Sequence, residues 1–87
     1  MEFDFDPVKS ASNKTKHGID FVEAQALWQD EALIEAPART EDEPRFLIVG
    51  RIDGRHWSAV CVRRGERVRI ISVRRSREEE VSAYESA

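Results

Sequence analysis

The sequence predicts an α+β fold, with a small antiparallel sheet of four to five strands, two N-terminal helices and one C-terminal helix. Three observations carry this expectation. Two helix-start signatures, Asp6-Pro7 and Asp20-Phe21-Val22-Glu23, lie in the first third of the chain. Three strand-like runs then follow between Arg45 and Arg74, separated by Asp53-Gly54 and Arg64-Gly65-Glu66. A third capping signature, Ser76-Arg77-Glu78-Glu79, comes after the last run. The predicted order is β-α-α-β-β-β-β-α, helices packed on an antiparallel sheet.

Phe3-Asp4-Phe5 reads as a short strand at a sheet edge. Asp6 then serves as N-cap, with Pro7 at the first helical position, where its missing N–H costs nothing. This helix is expected to run through about Lys16 and stop at Gly18, with Val8, Ala11 and Thr15 as a thin apolar face. Lys9, Asn13, Lys16 and His17 share another side of it. The second helix opens at once with a capping box from Asp20 to Glu23. Phe21, Ala24, Leu27 and Trp28 recur at helical spacing and are expected to anchor the core.

Ala32 to Ala36 fits a strand ended by Pro37, and residues 37–44, polar with a proline at each end, read as a loop. Arg45–Arg51 and His56–Arg63 are expected to pair across a tight Asp53-Gly54 turn, with Arg67–Arg74 as the next strand of a meander. Apolar residues on both faces of these strands predict a sheet centre covered on both sides. A capping box at Ser76 to Glu79 opens the last helix, which Val81 and Tyr84 dock onto the sheet.

The chain has 87 residues, too few to divide between two cores, so one domain over residues 1–87 is expected. Such a domain buries about 60 to 70% of its unfolded surface. No apolar run reaches the roughly 20 residues of a membrane helix, and the acidic start MEFDFDPVK lacks the basic region of a secretory signal. The lone Cys61 makes neither an internal disulfide nor a cysteine-based metal cluster. A cytoplasmic location is the expectation.

The net charge of −3 conceals a segregation. Residues 1–44 carry a net −7, residues 45–77 a net +8 from ten arginines against Asp53 and Glu66, and residues 78–87 a net −4. Arginine's planar fork binds phosphate or carboxylate through two hydrogen bonds. The arginine-rich stretch therefore either binds an anionic ligand or pairs with the acidic flanks of its own chain.

Among chemical motifs, the phosphate-binding loop, the dinucleotide glycine fingerprint and the HExxH zinc motif are absent. His17 and His56 have no cysteine or histidine co-ligand nearby in sequence, so no metal and no cofactor is expected. Cys61 lies mid-strand in an apolar run, a place for a buried thiol rather than a nucleophile. The remaining side chains suit RNA cleavage by the substrate's own 2′-hydroxyl. That reaction needs a group to accept a proton, a group to donate one and cations on the phosphate. Lys16-His17 at a helix end, Arg63 and Arg74 at strand exits, and Tyr84 on the last helix supply these groups.

Asp6-Pro7-Val8-Lys9, Asn13, Lys16-His17-Gly18-Ile19-Asp20-Phe21, Ala24, Trp28 and Asp30 resemble the N-terminal signature of the BrnT family of type II toxins. Glu43-Pro44-Arg45-Phe46, Gly50-Arg51 and Asp53-Gly54-Arg55 look like its first hairpin. Arg67 to Arg74 (RVRIISVR) looks like its last strand and Tyr84-Glu85 like its terminal helix. The resemblance implies a RelE-like fold and a metal-independent ribonuclease that halts translation. It also implies a BrnA-like antitoxin that forms a hetero-oligomer with the toxin and alone touches operator DNA. Carried over by position, Lys16, His17, Arg63, Arg74 and Tyr84 become catalytic candidates, and Arg45 and Arg51 substrate contacts. His17 or Tyr84 would move protons, while Arg63 and Arg74 would clamp the phosphate. The chain departs from relatives after RIISVR, where Glu78-Glu79-Glu80 replaces a mostly basic stretch and brings negative charge toward the site. The alternative reading is an inactive relative, or a non-catalytic interaction module acting as a co-repressor subunit. A DNA-binding domain is not expected, because no helix-turn-helix with a basic recognition helix is present.

Overall fold

A computed structural model describes residues 1–38 and 43–87. Its order is β1 (Glu2–Asp4), α1 (Pro7–His17), a 3₁₀ helix (Glu23–Gln29), β2 (Ile34–Ala38), β3 (Arg45–Ile52), β4 (Arg55–Arg64), β5 (Arg67–Arg75) and α2 (Glu78–Ser86). The strands form one sheet in the order β1-β5-β4-β3-β2. The α+β class, the five strands and the three helices match the expectation. The sheet is mixed rather than wholly antiparallel, because the edge strand β1 runs parallel to β5. Residues 39–42 of the expected loop lie outside the described residues. Pro37 belongs to β2 rather than ending it, which an edge strand tolerates.

Asp6 caps α1 through a 2.9 Å hydrogen bond from the Val8 amide, and the Gly18 amide closes its far end on the Lys14 carbonyl. The inward face differs from the apolar one expected. Val8 is 77% exposed and Ala11 and Thr15 are exposed, whereas Ser10 and Asn13 are buried. The cause is what α1 packs against: the edge of β5 beyond the end of β1. There the Asn13 amide donates to the Val73 carbonyl (2.9 Å) and its oxygen accepts from the Val73 amide (3.2 Å). Asn13 also donates to the Ile19 carbonyl, and the Ser10 hydroxyl accepts from the Phe21 amide. Backbone groups at a sheet edge need partners, and methyl groups provide none.

The expected capping box at Asp20 forms. Asp20 Oδ1 accepts from the Val22 and Glu23 amides, and Glu23 Oε1 accepts from the Asp20 amide. The helix that follows is 3₁₀ rather than α. Ala24 and Leu27 stand three residues apart and so stack on one side of its three-residue turn, with Phe21 just ahead of the helix. All three are at most 1% exposed, packed with Ile19 on Ile48, Ala59, Cys61 and Ile70 of the sheet. Full burial of Phe21 and Leu27 contributes about 1.5–3 kcal/mol each. Gly50 permits the close approach of this helix to β3. A Cβ there would lie 3.1 Å from Leu27 Cδ2 and 3.3 Å from Asp30 Oδ2.

The Asp53-Gly54 turn takes positive φ at both residues (50° and 79°), the geometry of a two-residue hairpin. It places Arg51 opposite His56 and Val49 opposite Ser58. Val49, Ser58 and Val62 are at most 1% exposed on the second sheet face, which α2 covers in part. The cap of α2 sits one residue later than expected, at Arg77, whose amide donates to Glu80 Oε1 at 2.8 Å. Tyr84 is buried and Val81 half-buried beneath α2, as expected of its docking residues.

Candidate active site

The second face of the sheet carries polar side chains where α2 crosses it. Arg51 and His56 project from paired positions of β3 and β4, and Ser58 and Arg74 from paired positions of β4 and β5. Strand alternation puts His56 and Ser58 on the same face. From α2, Tyr84 meets His56 edge-on, with ring centroids 5.2 Å apart, and Glu85 lies 3.1 Å from His56 Nε2. The Tyr84 hydroxyl donates to Asp30 Oδ2 at 2.7 Å, and the same oxygen accepts from the Arg51 amide at 2.8 Å. Arg51, Asp30 and Tyr84 line one cleft of about 420 Å³ with the Asp53-Gly54 turn.

The charges here are coupled. The hydrogen bond to Asp30, with burial added, holds the Tyr84 phenol above its ordinary pKa. Burial pushes the Asp30 carboxyl up, but hydrogen bonds from Tyr84 and from the Ala32 and Arg51 amides outweigh it, leaving the group below the usual carboxylate range. Glu80 takes both arms of the Arg74 guanidinium, at 2.7 and 2.8 Å, and accepts from the Ser58 hydroxyl at 2.8 Å. The Arg74 hydrogen bond is the main reason its carboxyl falls to about 2. The same bond raises Arg74.

The other expected residues stand elsewhere. Lys16 and His17 are exposed at the end of α1 and line a groove of about 270 Å³ with Lys9, Ser12, Asn13, Ile71 and Ser72. Arg63 and Arg45 line a third cleft, of about 480 Å³, beside β2. There Arg63 lies over the Phe46 ring, 4.2 Å from its centroid, and pairs with Glu35 at 2.8 Å. The structure thus brings Arg51 and Tyr84 together with Arg74 beside the same helix. It groups Lys16 with His17, and Arg45 with Arg63, in separate clefts. Cys61 is fully buried and burial pushes its thiol up to about 12, in keeping with its inert expectation.

Sequence reasoning passed over His56, Asp30 and Ser58 as candidates on this face, and over Glu80 as the carboxylate that occupies Arg74. His56 was accessible by counting: a two-residue turn at Asp53-Gly54 sets it opposite Arg51. Asp30 carried no such signal, because its approach to Tyr84 depends on the 3₁₀ helix and on Gly50.

A mixed sheet with a terminal helix across one face, and arginine, imidazole and phenol side chains between them, frames the site of this small α+β protein. A family model described as "Ribonuclease toxin, BrnT, of type II toxin-antitoxin system" matches residues 5–80, and the chain belongs to that family. It is accordingly an endoribonuclease toxin, and its type implies a cognate antitoxin. No curated protein matches the chain. Among the described residues, no helix is long and apolar enough to cross a membrane.

Proposed function

We propose that this nuclease cleaves RNA without a metal, by attack of the 2′-hydroxyl on the neighbouring phosphate, on the sheet face under α2. Arg74 and Arg51 clamp the phosphate, and Tyr84 protonates the departing 5′-oxygen. His56, the imidazole beside Tyr84, accepts the 2′-hydroxyl proton, leaving a 2′,3′-cyclic phosphate and a free 5′-hydroxyl. The observation that carries this reading is the edge-on His56–Tyr84 pair, 5.2 Å between centroids, on the face that also bears Arg51 and Arg74. Asp30 holds the Tyr84 hydroxyl in place at 2.7 Å in the free protein, and in this proposal the hydroxyl turns from Asp30 to the 5′-oxygen when substrate binds. Lys16 and His17 with Lys9, and Arg45 with Arg63, serve as contacts for flanking phosphates, supported by their exposure in two further clefts.

The antitoxin in this proposal is BrnA-like, bears the DNA-binding domain and forms a hetero-oligomer with the toxin. Its binding halts an enzyme whose RNA cleavage otherwise stops translation. The test is digestion of RNA by the purified toxin in EDTA. Cleavage is expected to persist, to fall about 100-fold in kcat for Arg74→Ala and for Tyr84→Phe, and to stop when antitoxin is added. Wild-type kcat in both variants, or loss of activity in EDTA alone, defeats the proposal.

A further inference from the structure

The surroundings of Glu80 are unusual for a carboxylate on a surface helix. Four donors converge on it: the two terminal nitrogens of Arg74, the Ser58 hydroxyl and the Arg77 amide, all at 2.7 to 2.8 Å. Ser58 is fully buried at the floor of this site, and its hydroxyl is braced by Ser76 at 2.8 Å. The Glu80 side chain is only 12% exposed and that of Arg74 23%. A guanidinium fork with a hydroxyl and a main-chain amide is the donor set used to hold two oxygens of a phosphodiester, and a carboxylate presents two oxygens in nearly the same way.

We propose that Arg74, Ser58 and the Arg77 amide form a cradle for one phosphodiester of the RNA chain, and that Glu80 is its resident competitor. The competitive role rests on the reading that Arg74 clamps substrate; the cradle itself does not. Substrate entry displaces the carboxylate by a turn of its side chain, while α2 stays anchored through Tyr84 on Asp30 and His56.

The test titrates inorganic phosphate, and separately a short 2′-O-methyl RNA that cannot be cleaved, into the wild-type protein and Glu80→Gln. Nitrogen-15 shifts of the Arg74 side chain and the Arg77 amide report binding. Glu80→Gln keeps an acceptor for the Arg77 amide and loses the charge. Glu80→Ala, which removes carboxylate and amide alike, is the second variant should the first fail to fold. The expected result is a dissociation constant at least tenfold lower for both ligands, with the gain abolished by adding Arg74→Ala. Equal affinity for wild type and variant overturns the proposal, and a gain for inorganic phosphate alone overturns the assignment to RNA. RNA cleavage reads the other question. A lower KM at unchanged kcat in Glu80→Gln places substrate in the cradle. An unchanged KM despite tighter oligonucleotide binding leaves the cradle standing and counts against the cleavage site of the previous section.

Discussion

Asn13 ties the first helix to the sheet as a neighbouring strand would, by pairing with both the N–H and the C=O of Val73. Removing its side chain leaves those groups and the Ile19 carbonyl buried without partners. Asn13→Ala is therefore expected to cost about 2–3 kcal/mol, read as a lower urea midpoint at unchanged m-value; a loss under about 0.5 kcal/mol would show that water replaces the amide. The helical phase of Asn13 was legible, since Lys9, Asn13, Lys16 and His17 were expected on one side. Its inward role was not. Hydropathy ranks Val8 above Asn13 for burial, but the partner surface is a row of backbone polar groups. Tyr84 illustrates the same limit. Its place on the last helix followed from the sequence, whereas its bond to Asp30, 54 residues away, required the fold.

Among the elements, α2 is held to the sheet in part by charge, through the Arg74–Glu80 pair. Two overlapping capping signatures compete at its start, Ser76 with Glu79 and Arg77 with Glu80. The second prevails because only Glu80 also reaches Arg74 and Ser58. The folded protein holds Glu80 at about 2, below its ordinary 4.5. A depressed carboxyl contributes stability above its unfolded pKa and loses it as pH falls through the folded one. Stability is thus expected to decline between about pH 4.5 and 2, by about 1.5–3 kcal/mol for this group. Urea midpoints measured from pH 7 to 2 should show the decline in wild type and a shallower one in Glu80→Gln; identical profiles would mean that the pair contributes nothing. The β3–β4 hairpin was read more completely from sequence, because a two-residue turn leaves no freedom of register. The seven-residue helix after Asp20 was placed correctly but given the wrong pitch, since a three-residue apolar repeat satisfies both helix types over so short a span.

Across the molecule, the segregated charge of the sequence resolves largely into pairs. Arg63 with Glu35, Arg64 with Glu43, Arg67 with Glu2, Arg69 with Asp4 and Arg74 with Glu80 each join the basic middle to an acidic flank. The expectation that the arginines pair with the acidic flanks of their own chain is met at these five positions, while Arg51 lines an open cleft. Lys9 and Lys16 make no ion pair among the described residues. If they contact RNA phosphates, the double variant Lys9→Ala/Lys16→Ala should bind with a log K against log salt slope smaller by about 1.4, at preserved kcat. An unchanged slope would remove the α1 groove from the substrate path. The fold class was legible because strand runs, turns and caps agree; the partition of the seven expected site residues among separate clefts was not, because strand faces and sheet order decide it.

The parallel pairing of β1 with β5 has a consequence for synthesis. Glu2 faces Arg67, so the first strand leaves the ribosome some 65 residues ahead of the neighbour it needs. Arg74 and Tyr84 emerge later still. A nascent chain that has delivered β1 but not β5 therefore has an unfinished sheet edge, and β1 waits unpaired until its partner follows.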